Sequence, residues 1–319
     1  MIRSVAHRAS GRATGFRLAH TLLVLIGLSG ETLCAQPFRA STAPPPSPSL
    51  EAGQSFQVRI GEQARLLARN ARLSRVAPDK QQALVEFVVG NLLFVAMREL
   101  GNAVVSEIRL PLPGGTEQAF DDLAALALLK LGEKNFSDRV LIEGAKGWFI
   151  RARREKAARG APDYYGRHDF NPRRAYRIVC LIFGADAARF KALPKETALP
   201  AEQRRGCGWD YDRVARSWDV ALTPHRPAAD QPKARIDVSY GVAAGDLKVY
   251  AQVLRNLRFL ETIAEFATDH LAWRAPILFE LRRCREANAA WAAPTRTLYL
   301  CYEMAQDFAK LYRDFGRDP

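Results

Sequence analysis

Six polar side chains that could bind a ligand or carry acid-base chemistry lie in or just after one apolar stretch, Asp79 to Leu110. They are Arg98, Glu99, Asn102, Glu117, Asp121 and Asp122. The apolar residues of the stretch cover most of a helical wheel, which predicts one long, deeply buried helix. Because polar groups are costly to bury without partners, those inside this helix need a structural or functional reason.

The spacing of Arg98, Glu99 and Asn102 suggests one reason. In an H-E-x-x-H helix, two imidazoles four residues apart bind zinc, and the glutamate between them is the general base. This chain has Arg98 and Asn102 at the two imidazole positions, so only the glutamate keeps its residue type.

The surrounding sequence extends the match. The run GNLLFVAMRELGNAVVSEIRLP, residues 90–111, resembles the metal-binding helix of a bacterial family of zincin-type zinc metallopeptidases. Residues 115–122 resemble that family's E-x-x-A-D segment, and residues 284–289 and 297–303 resemble its two C-terminal motifs. The resemblance runs from about Phe87 to Tyr312, in the same order along the chain.

The resemblance implies a role for each position. Glu99 stands at the general base, and Arg98, Asn102 and Glu117 stand at the three zinc ligands. An amide oxygen is a weak zinc donor and a guanidinium repels a dication, so we expect a metal-free site, with zinc only if an atypical Asn/Glu site still binds it.

In place of the metal we expect a polar network centred on Arg98. Its guanidinium would bind Glu117 bidentately and lower the pKa of Glu99 and Glu117, while Asn102 satisfies the remaining lone pairs. Asp121 and Asp122 are further candidates for this network. A chance motif of ordinary helix polar groups is the alternative, and acidic residues in a first helical turn favour the helix dipole in any case.

The N-terminal sequence predicts export. Residues 1–35 combine four arginines, a short apolar run and a small residue after Cys34, which is typical of a secretory signal peptide. The apolar run is too short for a spanning helix, so we expect no transmembrane span in the mature chain and a periplasmic or secreted protein. Residues 36–53 read as a proline-rich linker, and 54–316 as a single domain with a candidate C-terminal lobe at 233–316.

Cysteine usage agrees with export. Outside the signal peptide the chain has Cys180, Cys207, Cys284 and Cys301, and an even number in an exported chain favours two disulfides. Three pairings are open, of which we favour the local one, Cys180 with Cys207 and Cys284 with Cys301. The second pair would join two strands across a turn. A four-cysteine metal site is the competing interpretation.

The net charge of the whole chain is +13. Four arginines and Glu31 give residues 1–35 a charge of +3, which leaves +10 on the rest. This surplus favours an anionic surface as a partner, such as acidic lipid headgroups or cell-wall polymers. Nucleic acid is disfavoured because the basic clusters lack interleaved aromatic residues.

The pattern of apolar residues predicts an α+β fold, mostly α, with a small mixed sheet, as expected for a zincin-like domain. The predicted helices are 62–76, 79–110, 116–131, 135–159, 173–184, a segment within 200–222, 247–271 and 303–314. The predicted strands are 55–60, 234–240, 276–281 and 296–302. In the helix within 200–222, the apolar face is assigned Trp209, Tyr211 and Trp218.

Three functions remain open from the sequence. The first is a zincin-like protein that has lost its metal and binds a peptide or cell-envelope component in the former cleft. The second is an active zinc metallopeptidase with an atypical Asn/Glu site. The third is a cationic protein that binds the cell envelope without using the cleft.

Overall fold

The computed structural model describes residues 56–68, 78–112, 116–135, 138–159, 172–230 and 234–315. The predicted signal peptide and linker lie outside these ranges. The division of the chain into leader, linker and domain, with its candidate lobe, stays a prediction.

The described residues form eleven α-helices, two 3-10 turns and four strands. The helices are α1 Phe56–Ala68, α2 Pro78–Ile108, α3 Thr116–Asn135, α4 Asp138–Arg159, α5 Pro172–Ala185, α6 Leu193–Glu196, α7 Ala201–Arg204, α8 Cys207–Leu222, α9 Leu247–Asn256, α10 Phe259–His270 and α11 Tyr302–Phe315. The strands are β1 Ile236–Tyr240, β2 Ile277–Arg282, β3 Ala289–Ala292 and β4 Thr297–Cys301. The 3-10 turns are Thr223–His225 and Ala293–Thr295. The predicted class is confirmed: the fold is α+β and mostly helical, with a small mixed sheet.

Helix α2 is the centre of the molecule. Every residue from Leu84 to Met97 is buried, because α1, α3, α4 and α11 all pack around it. The helix ends where Arg109 takes a left-handed conformation and the N–H of Leu110 binds the carbonyl of Val105. This closing turn places the polar residues 98–102 in the last third of α2.

The crossing of α2 and α4 is unusually close. A Cβ on Gly90 would lie 2.3 Å from the carbonyl oxygen of Val140, so only glycine fits there. Asn91, next to it, donates from Nδ2 to the carbonyls of Phe87 and Glu143. The buried amide thus has partners on both helices, which explains one of the polar groups that the sequence places in this core.

The sheet has the strand order β1-β2-β4-β3. β1 and β2 are parallel, with Ile236 opposite Ile277, and β2 and β4 are also parallel. β3 runs antiparallel to β4, with Ala289 opposite Leu300, and forms one edge of the sheet. The sequence predicts three of these strands but misses β3, which is four residues long and rich in alanine.

The N-terminal strand prediction is wrong. Residues 56–60 belong to helix α1, in which Ile60, Ala64 and Leu67 are buried at helical spacing. The alternation in SFQVRI is only six residues long, and the contact with α2 selects the helix instead.

The prediction of one helix over 247–271 is also wrong. Arg258 has φ 54°, a left-handed conformation that ends α9 and starts α10 in a new direction. In α8, Trp218 is buried and Tyr211 partly buried, whereas Trp209 is 66% exposed. Cys207, Val214 and Trp218 share the buried face at helical spacing, and Trp209 falls on the opposite side.

Two disulfides join neighbouring elements with the favoured local pairing. Cys180 binds Cys207 and ties α5 to α8, while Cys284 binds Cys301. The second bond was predicted to join two strands across a turn. Instead, β2 and β4 are parallel, and the bond joins their carboxyl ends.

Among the described helices, none is both long enough and apolar enough to cross a bilayer.

Candidate functional site

The candidate site lies where the last third of α2 meets α3. The two helices approach closely at Gly101, where a Cβ would lie 3.2 Å from the side chain of Leu123. This approach brings Arg98 of α2 to the first turns of α3, which carry Glu117 and Asp121.

Arg98 forms ion pairs with both acidic residues. Its Nη2 lies 2.5 Å from Oε2 of Glu117, and its Nε lies 2.6 Å from Oδ1 of Asp121. Asp121 is almost fully buried, Arg98 is 13% exposed and Glu117 is 35% exposed. The guanidinium therefore bridges Glu117 and Asp121, two of the residues predicted for the network, instead of binding Glu117 bidentately.

A second arginine, Arg174 of α5, completes this group. It donates from Nε and Nη2 to the two oxygens of Asp121, at 2.7 and 2.9 Å, and its Nη2 lies 3.6 Å from Glu117. We call Arg98, Glu117, Asp121 and Arg174 the arginine cluster. Its two positive and two negative groups balance, which is the condition for burying charge at low cost.

Trp148 of α4 lies against both guanidinium groups. The ring centroid is 4.9 Å from Cζ of Arg174 and 5.8 Å from Cζ of Arg98. The electron-rich ring face favours both cations. Sequence reasoning missed Arg174 and Trp148, and the only available signal was the basic start of α5.

Asp122 lies outside the arginine cluster. Its two oxygens accept hydrogen bonds from Nε and Nη2 of Arg177, both at 2.6 Å. Burial raises the pKa of Asp122, and Arg177 opposes the shift. Asp122 therefore attaches α5 to α3, one residue along from the pair made by Asp121.

Glu99 faces the sheet. Its Oε2 accepts a hydrogen bond from the backbone N–H of Trp291 in β3, at 3.1 Å, and Asn102 also hydrogen-bonds the carboxylate. Burial raises the pKa of Glu99, while Arg98, the Trp291 N–H and Asn102 oppose the shift. The predicted lowering of this pKa is wrong because burial outweighs the nearby guanidinium.

The residues of this site do not fit a zinc ion. Zinc binds neutral imidazoles, thiolates and free carboxylates. Here both carboxylates of the cluster already contact guanidinium groups. A dication would face two fixed positive charges.

One group of metal-ligand types does occur elsewhere in the described part of the chain: Cys284, Cys301 and Glu303. The two cysteines are bound to each other, so the group offers no thiolate in this state.

A family model described as "Putative metallopeptidase" matches residues 62–222, about half of the chain. The chain belongs to this family. The match covers every residue of the arginine cluster and ends with helix α8, so residues 234–315, with three helices and the sheet, lie outside it. Comparisons with curated proteins and with solved structures give no match.

Proposed function

We propose that this member of the metallopeptidase family is a zincin-like pseudoenzyme, in which a cluster of ion pairs replaces the metal. The observation that carries the proposal is the position of Arg98. It stands at the first imidazole position of the H-E-x-x-H spacing, and its guanidinium contacts both acidic residues at the start of α3.

The charge of the arginine cluster gives a physical reason for the replacement. Two arginine monocations, Arg98 and Arg174, provide the same positive charge as one zinc dication. They neutralise Asp121, which would otherwise be a buried anion without a counter-charge, and the partly exposed Glu117. The cluster thus maintains the packing of α2, α3 and α5 without a metal.

The surroundings of Glu99 also support the proposal that the protein has lost peptidase activity. A general base in this chemistry takes a proton from a water that a cation has acidified. Glu99 instead accepts hydrogen bonds from Trp291 and Asn102. The neighbouring cation is a guanidinium, which does not acidify a water molecule as a zinc ion does. We infer that its main role is to attach α2 to strand β3.

The remaining function would be binding in the former cleft, of a peptide or a cell-envelope component. Glu117 supports this, because it is the most exposed member of the cluster and brings the ion-pair network to the surface. The signal-like N-terminal sequence and the two disulfides support export to the periplasm or the medium.

The decisive experiment is the zinc content of the purified chain, beside the variants R98H/N102H and R98H/N102H/R174Q. We expect no zinc in the natural protein. The triple variant should bind about one zinc per chain, with the double variant weaker because Arg174 still lies beside Glu117. R174Q alone is the matched control and should bind none.

The second candidate function is an active metallopeptidase that uses Asn102 and Glu117 as ligands, and the family description favours it. Stoichiometric zinc in the natural protein, lost in an E117Q variant, would establish this function and contradict the pseudoenzyme. Binding to anionic vesicles that falls steeply with salt, and is unchanged in R98H/N102H, would instead support a cationic envelope-binding protein.

A further inference from the structure

The carboxyl ends of β2 and β4 bring three ligand-type side chains together, away from the arginine cluster. The sulfur atoms of Cys284 and Cys301 and a carboxylate oxygen of Glu303 all lie within 4.8 Å of one another. Cys301 is fully buried, and the other two residues are partly buried. The group is therefore partly shielded from water and still reachable from the surface.

Glu303 is held in a fixed orientation towards the disulfide. Its carboxylate accepts hydrogen bonds from the backbone N–H groups of Cys284, at 3.1 Å, and Arg285, at 2.8 Å. A carboxylate has about four lone-pair positions, so it can keep backbone donors and still bind a cation. Hydrogen bonds of this kind are what orient ligands around metal ions.

We propose that reduction of the Cys284–Cys301 disulfide creates a zinc site, with the two thiolates and the Glu303 carboxylate as its protein ligands. Reduction breaks the S–S bond with two electrons and two protons from a dithiol, which itself becomes a disulfide. Zinc binding then displaces the two thiol protons into solvent. The site is independent of the pseudoenzyme proposal because it uses no residue of the arginine cluster.

The required movement is small. Zinc–sulfur bonds of about 2.3 Å in a tetrahedral site place two thiolates roughly 3.8 Å apart. The Cα atoms of the two cysteines are 5.5 Å apart. At this backbone separation, rotation of the two side chains can bring the thiolates to that spacing without moving β2 or β4. Three protein ligands leave the fourth zinc position to water.

The other disulfide is a matched control within the same chain. Cys180 and Cys207 are also close, with Cα atoms 4.9 Å apart. Within the described ranges, however, no histidine or acidic side chain joins them at ligand distance. Its reduction should therefore release thiols without creating a comparable zinc site.

Two variants of the full chain separate the pairs: C180S/C207S keeps the C-terminal pair, and C284S/C301S keeps the other. After reduction by a phosphine without oxygen, zinc uptake is measured by competition with a coloured chelator. We expect about one zinc per chain in reduced C180S/C207S, none in its oxidised form, and none in C284S/C301S in either form. Adding E303Q to C180S/C207S should weaken binding about tenfold or more.

The proposal is overturned if reduced C180S/C207S stays folded by far-ultraviolet circular dichroism and takes up no zinc. Equal affinity with and without E303Q would also overturn it. If C180S/C207S fails to fold, the same readings are made on the reduced natural chain, E303Q and C284S. Zinc bound at the arginine cluster would appear in both double-cysteine variants and in oxidised protein, so the two proposals fail in different ways.

Discussion

The arginine cluster and the C-terminal sheet are stabilised in different ways. Charged pairs attach α3 to α2 and α5 to α3, and each guanidinium there depends on a carboxylate from another helix. Backbone ladders and one disulfide hold β1, β2 and β4 together. The first region can change its chemistry by substitution of a few side chains, whereas the second depends on the main chain.

The match to the family model includes the first of these regions and not the second. The family model covers residues 62–222, which include the arginine cluster, and ends before the sheet begins. A site built from side chains can lose a metal and gain an ion pair while the helices keep their packing. The function of this chain must therefore be argued from side chains at 98–174, not from the fold around them.

The two regions are joined through α2. Glu99 binds the backbone of Trp291 in β3, and Glu107 forms an ion pair with Arg296, at the start of β4. Arg154 of α4 adds a bidentate pair with Asp307 of α11. The helix with the candidate site is thus also the support for the edge of the sheet.

The largest effect should come from Asp121→Ala. This change leaves Arg98 and Arg174 without their shared buried partner, so the free energy of unfolding should fall by about 3–5 kcal/mol. Urea denaturation followed by circular dichroism measures it. Glu265→Ala, which removes an exposed ion pair with Arg258, is the control and should cost at most about 0.5 kcal/mol. Equal losses in the two variants would mean that the cluster does not stabilise the helical region.

The next effect should come from the disulfides. Removing either pair by double substitution with serine should cost about 3 kcal/mol, because the unfolded chain gains freedom. The Cys180–Cys207 loop is the longer, with a separation of 27 residues against 17, which adds only about 0.4 kcal/mol. Urea denaturation of both variants tests this. A much larger loss at Cys284–Cys301 would show that the sheet depends on its bond more than the helices do on theirs.

The smallest effect concerns Glu143 of α4, a buried carboxylate paired with Arg139 and Lys146. Burial raises its pKa, although both cations oppose the shift. As pH rises, Glu143 therefore ionises in the unfolded chain before it ionises in the folded chain. The free energy of unfolding that the protonated carboxyl contributes at low pH is lost as pH rises from the unfolded pKa to the folded pKa. Glu143→Gln has no carboxyl group to ionise, so its free energy of unfolding, relative to that of the natural chain, should be higher at pH 7 than at pH 4.

Denaturation of Glu143→Gln and the natural chain between pH 4 and 8 measures the difference. Glu196→Gln, which removes the charge of a more exposed carboxylate on the same two cations, is the control for the loss of one ion-pair partner. A growing penalty for Glu143→Gln at higher pH would mean that its ion pairs outweigh burial. The helical region would then be stabilised by all of its buried charges, not only by the cluster.

Local sequence determined much of the fold. A run in which nearly every position from Leu84 to Met97 is apolar must be buried in any compact arrangement, so α2 could be predicted with its approximate ends. The cysteine pairs are local, 27 and 17 residues apart, and the favoured pairing required no knowledge of distant contacts. The spacing of Arg98, Glu99 and Asn102 on one helix was equally readable.

Other features depended on contacts that no local pattern contains. Short segments such as 56–60 and β3 carry too few residues to show a period, so packing against α2 and β4 decided their conformation. The left-handed residue Arg258 split one predicted helix into two. Because arginine rarely adopts a left-handed conformation, nothing in the sequence indicated a break between α9 and α10 at this residue.

The site shows the same division. The local sequence showed an arginine at the position where the family resemblance predicts a metal ligand, and acidic residues on the next helix. Only the tertiary structure brought Arg174 to Asp121 across 53 residues, and Trp291 to Glu99 across 192. Local propensities determine which helices form, but the partner of a buried charge is chosen by the packing of whole elements, because the cost of leaving that charge unpaired appears only when the elements meet.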